Sequence, residues 1–167
     1  MPSSRLLLIA LLAVLTMSLV PVLVKSTAAN EVTIAIARLG IAVAVITPLL
    51  FVPAFASSSL RSISWHQWRR LAIIGAIFAL HWLTYFASIK LATAVIASVA
   101  IATYGVQYLV LAWWFNDERL GLMECTAMLA CLIGCAVMVP AFSLSNDVSL
   151  GIVIGLFSAF LYALLPL

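Results

Sequence analysis

The chain has 167 residues, of which 66% are hydrophobic and 8% charged, with a formal net charge of +3. Soluble domains carry roughly 45–50% apolar and about 25% charged residues, so this chain has too little polar sequence to cover a globule and reads as an integral membrane protein. The small, scattered positive charge gives no footprint for a nucleic-acid partner.

A spanning helix needs about 20 mainly apolar residues, and such runs recur along the chain. The first covers residues 6–24. Arg5 followed by apolar sequence invites comparison with a signal peptide, but this run exceeds the roughly 7–15 residues of a signal core and reads as an uncleaved helix. The second run, residues 32–56, contains Arg38. The polar stretch 57–70 follows, "SSSLRSISWHQWRR". A third run covers residues 71–89 and a fourth 91–115, separated by Lys90. After "NDERLG" comes the fifth, 122–142, and after "SLSNDVS" the sixth, 150–167. The expected fold class is all-α, a polytopic transmembrane helix bundle of about six spans.

Lys and Arg counts in short loops set orientation. With the N-terminus inside, Arg5, Arg61, Arg69, Arg70 and Arg119 lie inside, and Lys25 and Lys90 outside. A cytoplasmic N-terminus is therefore expected, and the expected location is a plasma (bacterial inner) membrane. Trp65, Trp68, Trp113 and Trp114 fall at the inner boundary, where an aromatic belt belongs.

Small residues let helices approach closely in lipid. The sixth run has Gly151, Gly155, Ala159 and Ala163 at fourfold spacing; the fourth has Ala94, Ser98 and Ala102; the third has Ala72, Gly75, Ala76 and Ala79. Close packing at all three is expected, with bends at Pro21, Pro48 and Pro53.

Polar residues inside spans face the bundle interior or a water-filled cavity. On the third helix His81, Thr84, Tyr85 and Ser88 share an arc of roughly 100°. The fourth offers Thr103, Tyr104, Gln107 and Tyr108. His81, Tyr85, Tyr104 and Gln107 are the substrate-cavity candidates; the competing role for such groups is bonding to a neighbouring helix. His81 titrates nearest neutral pH, which would admit proton coupling. No catalytic set, glycine-rich phosphate loop or metal-ligand pattern appears, so neither an enzyme, a metal site nor a cofactor is expected. Cys125, Cys131 and Cys135 read as small packing residues.

Two readings of Arg38 stand. It marks the outer edge of the second span, snorkelling if it lies roughly 9 Å deep, or it is a charge at a cavity mouth that favours anionic groups. Glu118 and Arg119 read as structural and topogenic residues of the inner turn.

Four elements in order resemble one family: "ARLGIAVAV" around Arg38, a long fourth span ending in "ERL" (Glu118, Arg119, Leu120), "LIGCAVMV" around Gly134, and "GIVIGLFSAFLYAL". Over residues 6–167 they resemble the EamA-like permeases of the drug/metabolite transporter superfamily. The resemblance implies a ten-helix carrier of two inverted five-helix repeats that moves small metabolites or drugs by alternating access. Residues 1–142 would be one repeat and 143–167 a loop and the first, truncated helix of a second. Arg38, Glu118 and Arg119 would be architectural signatures. Many relatives carry a proline midway along helix four, where this chain has Thr103, Tyr104 and Gly105. The implied partners are a small-molecule substrate, the lipid bilayer, and a second repeat of a longer chain or a partner chain. The alternative from another class is a non-transporting assembly or scaffold subunit.

Overall fold

The computed structural model describes residues 4–49, 51–52, 63–117, 119–138 and 146–167. Pro53, Arg61 and Glu118 lie outside the described residues. All the elements are helices: α1 (Ser4–Ser26), α2 (Glu31–Leu49), α3 (Trp65–Leu91), α4 (Ala94–Ala102), α5 (Tyr104–Phe115), α6 (Leu122–Met138) and α7 (Asn146–Ala163). The segments Arg5–Ser26, Glu31–Leu49, Trp65–Leu91 and Ala94–Phe115 are long and apolar enough to cross a membrane; the described parts of the last two helices are shorter.

Local chemistry sets the helix ends. Asn30 caps α2 through its Oδ1, which accepts from Thr33 N at 2.8 Å. The helix ends at Leu49, and the turn at Phe51 and Val52 follows it within the expected 32–56 run. Pro48 withholds one ladder donor, and Phe51 N and Val52 N turn back to the carbonyls of Pro48 and Leu49. α3 starts two turns earlier than the apolar run. Ser64 accepts from Gln67 N, and Gln67 Oε1 accepts from Ser64 N at 2.8 Å, a capping box that draws Trp65, Trp68, Arg69 and Arg70 into the helix.

The fourth span breaks at Thr103. Thr103 N bonds Ala100 O instead of the carbonyl a full turn back, which leaves Val99 O without its helical donor. Cys135 Sγ approaches that oxygen at 3.8 Å. Thr103 Oγ1 donates to Ala100 O at 2.7 Å and accepts from Gln107 Nε2 at 3.0 Å, bracing both sides of the break. After α5, Asp117 takes φ 53°, a left-handed turn that Asp tolerates better than most residues.

The core gathers where α3, α4, α5 and α7 meet. α7 runs antiparallel to α3: Ser88 Oγ donates to Gly151 O at 2.7 Å, and seven residues further along α7 Ser158 Oγ donates to His81 O at 2.8 Å. The small-residue ladder makes this possible. A β-carbon on Gly151 would lie 2.7 Å from Ala92 Cβ, and one on Gly155 would lie 2.8 Å from Ala100 Cβ. Ala159 and Ala163 are fully buried on the same face. A second cluster, Val24 with Tyr85, Phe86, Ile89 and Ala97, ties α1 to α3 and α4.

Two small-residue expectations differ from the structure. Ala72, Gly75, Ala76 and Ala79 of α3 are exposed, because the helix's first half stands clear of its neighbours. On α4 the buried residues are Ile96, Ala97, Val99 and Ala100, while Ala94, Ser98 and Ala102 border a cleft shared with α1 and α6. The loops α1–α2 and α3–α4 clasp each other. Lys25 Nζ donates to Lys90 O (2.9 Å) and Ala92 O (2.6 Å), and Lys90 Nζ donates to Thr27 O. Each ammonium satisfies carbonyls at the other helix's C-terminal end, where the helix dipole favours a cation.

Candidate functional site

α3 presents His81 and Ser88, and α5 presents Tyr104 and Gln107, to α7. His81 is buried, and its Nδ1 lies 3.0 Å from both Ser158 O and Ser158 Oγ. The Ser158 hydroxyl already donates to His81 O, so the hydrogen-bond pattern assigns the imidazole proton to Nδ1 and leaves Nε2 as the acceptor of the neutral ring. Aromatic rings surround the imidazole: Tyr162 at 4.8 Å, Trp82 at 5.4 Å, Phe78 at 6.1 Å and Tyr85 at 6.3 Å between centroids.

Tyr104, at the start of α5, meets Tyr162 edge-on at 4.9 Å. One turn on, Gln107 Nε2 reaches Leu156 O of α7 at 3.4 Å besides its bond to Thr103. Three of the four cavity candidates, His81, Tyr104 and Gln107, converge on α7, while Tyr85 packs in the cluster with Val24 of α1 and Ala97 of α4. His81 stacks on Tyr162 and Tyr104 meets it edge-on, Tyr85 stacks parallel to His81, and Gln107 touches the α7 backbone at Leu156. Thr84 stays with its own helix, donating to the carbonyls of Leu80 and His81.

Arg38 is half-buried and spans the gap between α1 and α3. Its guanidinium lies 3.7 Å from the centroid of Trp82, and Nη2 lies 3.8 Å from Met17 Sδ. A guanidinium over an indole face is a favourable cation–π pair. Trp82 in turn contacts His81, Tyr85 and Phe86, so one run of contacts extends from Arg38 through Trp82, His81 and Tyr162 to Tyr104. Arg119 lies in the α5–α6 turn, away from this cluster.

Sequence reasoning missed Tyr162, Ser158 and Trp82. The available signal was spacing: Ser158 and Tyr162 are four apart, and Tyr162 adjoins Ala163 of the small-residue ladder. Two clefts open beside the cluster, one of about 540 Å³ among α2, α3 and α7 and one of about 310 Å³ among α1, α4 and α6. None of His81, Tyr85, Tyr104, Gln107 or Arg38 lines either of them. Among the described residues no group of three or more His, Cys, Asp or Glu side chains is placed to hold a metal ion. The three cysteines are free thiols.

Membrane-length helices with polar side chains turned toward one another define a polytopic membrane protein. The EamA-like transporter family matches residues 4–139, most of the chain, and the protein belongs to that family of membrane transporters. The match includes every candidate residue on α2, α3 and α5; α7 follows it. No curated protein and no solved structure matched the chain.

Proposed function

We infer that the protein moves small metabolites or drugs across a plasma membrane by alternating access, with its N-terminus in the cytoplasm. Residues 1–142 act as one five-helix repeat, and residues 143–167 begin a second or dock as its counterpart. The observation that carries this reading is the convergence of His81, Tyr104 and Gln107 on α7, the helix that follows the family match. Inverted-repeat carriers bind substrate where repeats meet, and this reading puts the polar groups that face α7 at such a junction.

The α3–α7 contact also suits a moving interface. It is built from Gly151, Gly155 and Ala159 with hydroxyl bonds across them, so sliding or lifting α7 meets little interlocking side-chain bulk. Displacing α7 would uncover the rings of His81 and Tyr104 and the amide of Gln107. These groups suit a solute with an apolar or aromatic body and a few hydrogen-bonding groups. Arg38, behind Trp82, would bias that space toward anionic groups. The inner-side excess of arginine supports the orientation.

The cross-helix bonds of His81 and Ser88 favour a second reading, in which these groups hold together a non-transporting scaffold subunit. The test is export profiling by mass spectrometry in cells expressing the wild type or His81→Ala, Tyr85→Ala and Gln107→Ala, each matched for membrane level. The carrier reading expects a metabolite enriched outside wild-type cells and at least one variant at normal level with reduced export. Unchanged export in all three refutes the site. Lowered membrane levels with no exported solute would establish the scaffold reading instead.

A further inference from the structure

The cleft of about 540 Å³ among α2, α3 and α7 plays no part in the proposed transport site. Its size falls within the roughly 300–1,000 Å³ of small-ligand sites. Val32, Leu83, Val153 and Phe157 make most of its wall, and Glu31 and Thr84 supply its carboxylate and hydroxyl. Glu31 stands in the first turn of α2, half-buried, and makes no ion pair among the described residues.

The nearest lysines are committed elsewhere. Lys25 caps the end of α3 and Lys90 reaches Thr27 O, in the loop that leads into α2. Lys90 stands one turn beyond Ala87, a residue of the cleft wall, on the same side of α3. Glu31 is the charged residue of the cleft lining, and Lys90 does not line it. Its apolar wall runs inward along α7 to Phe157, about 9 Å beyond the level of Gly151.

A carboxylate at the mouth of an apolar wall matches an amine-headed lipid standing in its own leaflet. We propose that the cleft binds an amine-headed glycerophospholipid, its ammonium on Glu31 and an acyl chain along Val32, Leu83 and Phe157. A primary ammonium donates hydrogen bonds to a carboxylate, whereas the quaternary ammonium of phosphatidylcholine has no hydrogen to give. Phosphatidylglycerol has no cation at all. The bilayer supplies the ligand in permanent excess, which favours a lipid over a dissolved amine.

The test is native mass spectrometry of the full chain released from nanodiscs containing equal parts phosphatidylethanolamine, phosphatidylcholine and phosphatidylglycerol. Wild type is expected to retain phosphatidylethanolamine about tenfold over the other two, the scale of one charge-assisted hydrogen-bonded pair. Glu31→Gln, which keeps the shape, is expected to abolish that preference. Ala87→Phe, which fills the wall, is expected to lower retention of every lipid. No headgroup preference in wild type, or a preference that survives Glu31→Gln, overturns the proposal. Loss of preference in Glu31→Gln with retention unaffected by Ala87→Phe overturns the location. Retention of added dodecylamine in place of phosphatidylethanolamine overturns the lipid as occupant.

Discussion

Replacing Gly151 by alanine tests how closely α7 must lie on α3. The added methyl would sit 2.7 Å from Ala92 Cβ and 2.9 Å from Ala92 N, where carbon atoms prefer about 3.5–4.0 Å. Ala92 cannot rotate away, because one contact is backbone and the other is fixed to it. The helices must separate by about 1 Å, which stretches the 2.7 Å bond from Ser88 Oγ to Gly151 O beyond hydrogen-bonding range. Overpacking costs about 1–3 kcal/mol and the lost bond about 1 kcal/mol, against a gain of about 1 kcal/mol in helix propensity. The expected net loss is about 1–3 kcal/mol, read as a lower thermal midpoint in detergent. Gly75→Ala is the control: nothing lies within 4 Å of its β-carbon position, so it keeps the propensity gain without the clash and should be neutral or slightly stabilising. If the two variants melt alike, α7 does not dock on α3 at this distance and the antiparallel pairing is wrong.

Trp82→Leu removes the face beneath Arg38 and should cost about 1–2 kcal/mol. A double-mutant cycle with Arg38→Met isolates the cation–π share, and a coupling near zero would show that the stacked pair does no stabilising. Ser64→Ala breaks the capping box and should cost about 1 kcal/mol, with faster amide exchange confined to residues 65–70; uniform exchange across α3 would contradict the assigned start.

The presence and order of the first four spans were legible because lipid tolerates no long polar interruption, and the Gly151–Gly155–Ala159–Ala163 spacing announced a close helix contact. Helix ends were less legible where capping overrode hydropathy. The Ser64 and Gln67 signature was present in the sequence, but it lay inside a stretch whose polarity suggested a loop. Small residues alone did not reveal which face would be covered: Ala72 and Gly75 look like Gly151 and Gly155 by composition, yet only the latter pair has a neighbour. Among the candidate residues, position on a span and polarity could be read from one sequence. The pairing of Arg38 with Trp82 and of His81 with Ser158 could not, since it depends on which helices become neighbours across tens of residues.

The antiparallel seating of α7 also orders events during biosynthesis. When α3, α4 and α5 have left the ribosome, the ring nitrogen of His81 has not yet met Ser158, which lies 77 residues downstream. Gln107 likewise waits for Leu156, 49 residues on. An unsatisfied imidazole in hydrocarbon is costly, so the early helices gain by remaining at the polar, protein-lined exit of the insertion machinery until α7 emerges. Release into lipid is then coupled to the arrival of a helix lying beyond the family-matched segment. Nascent chains arrested before residue 158 should stay crosslinkable to that machinery through α3, while longer ones let go.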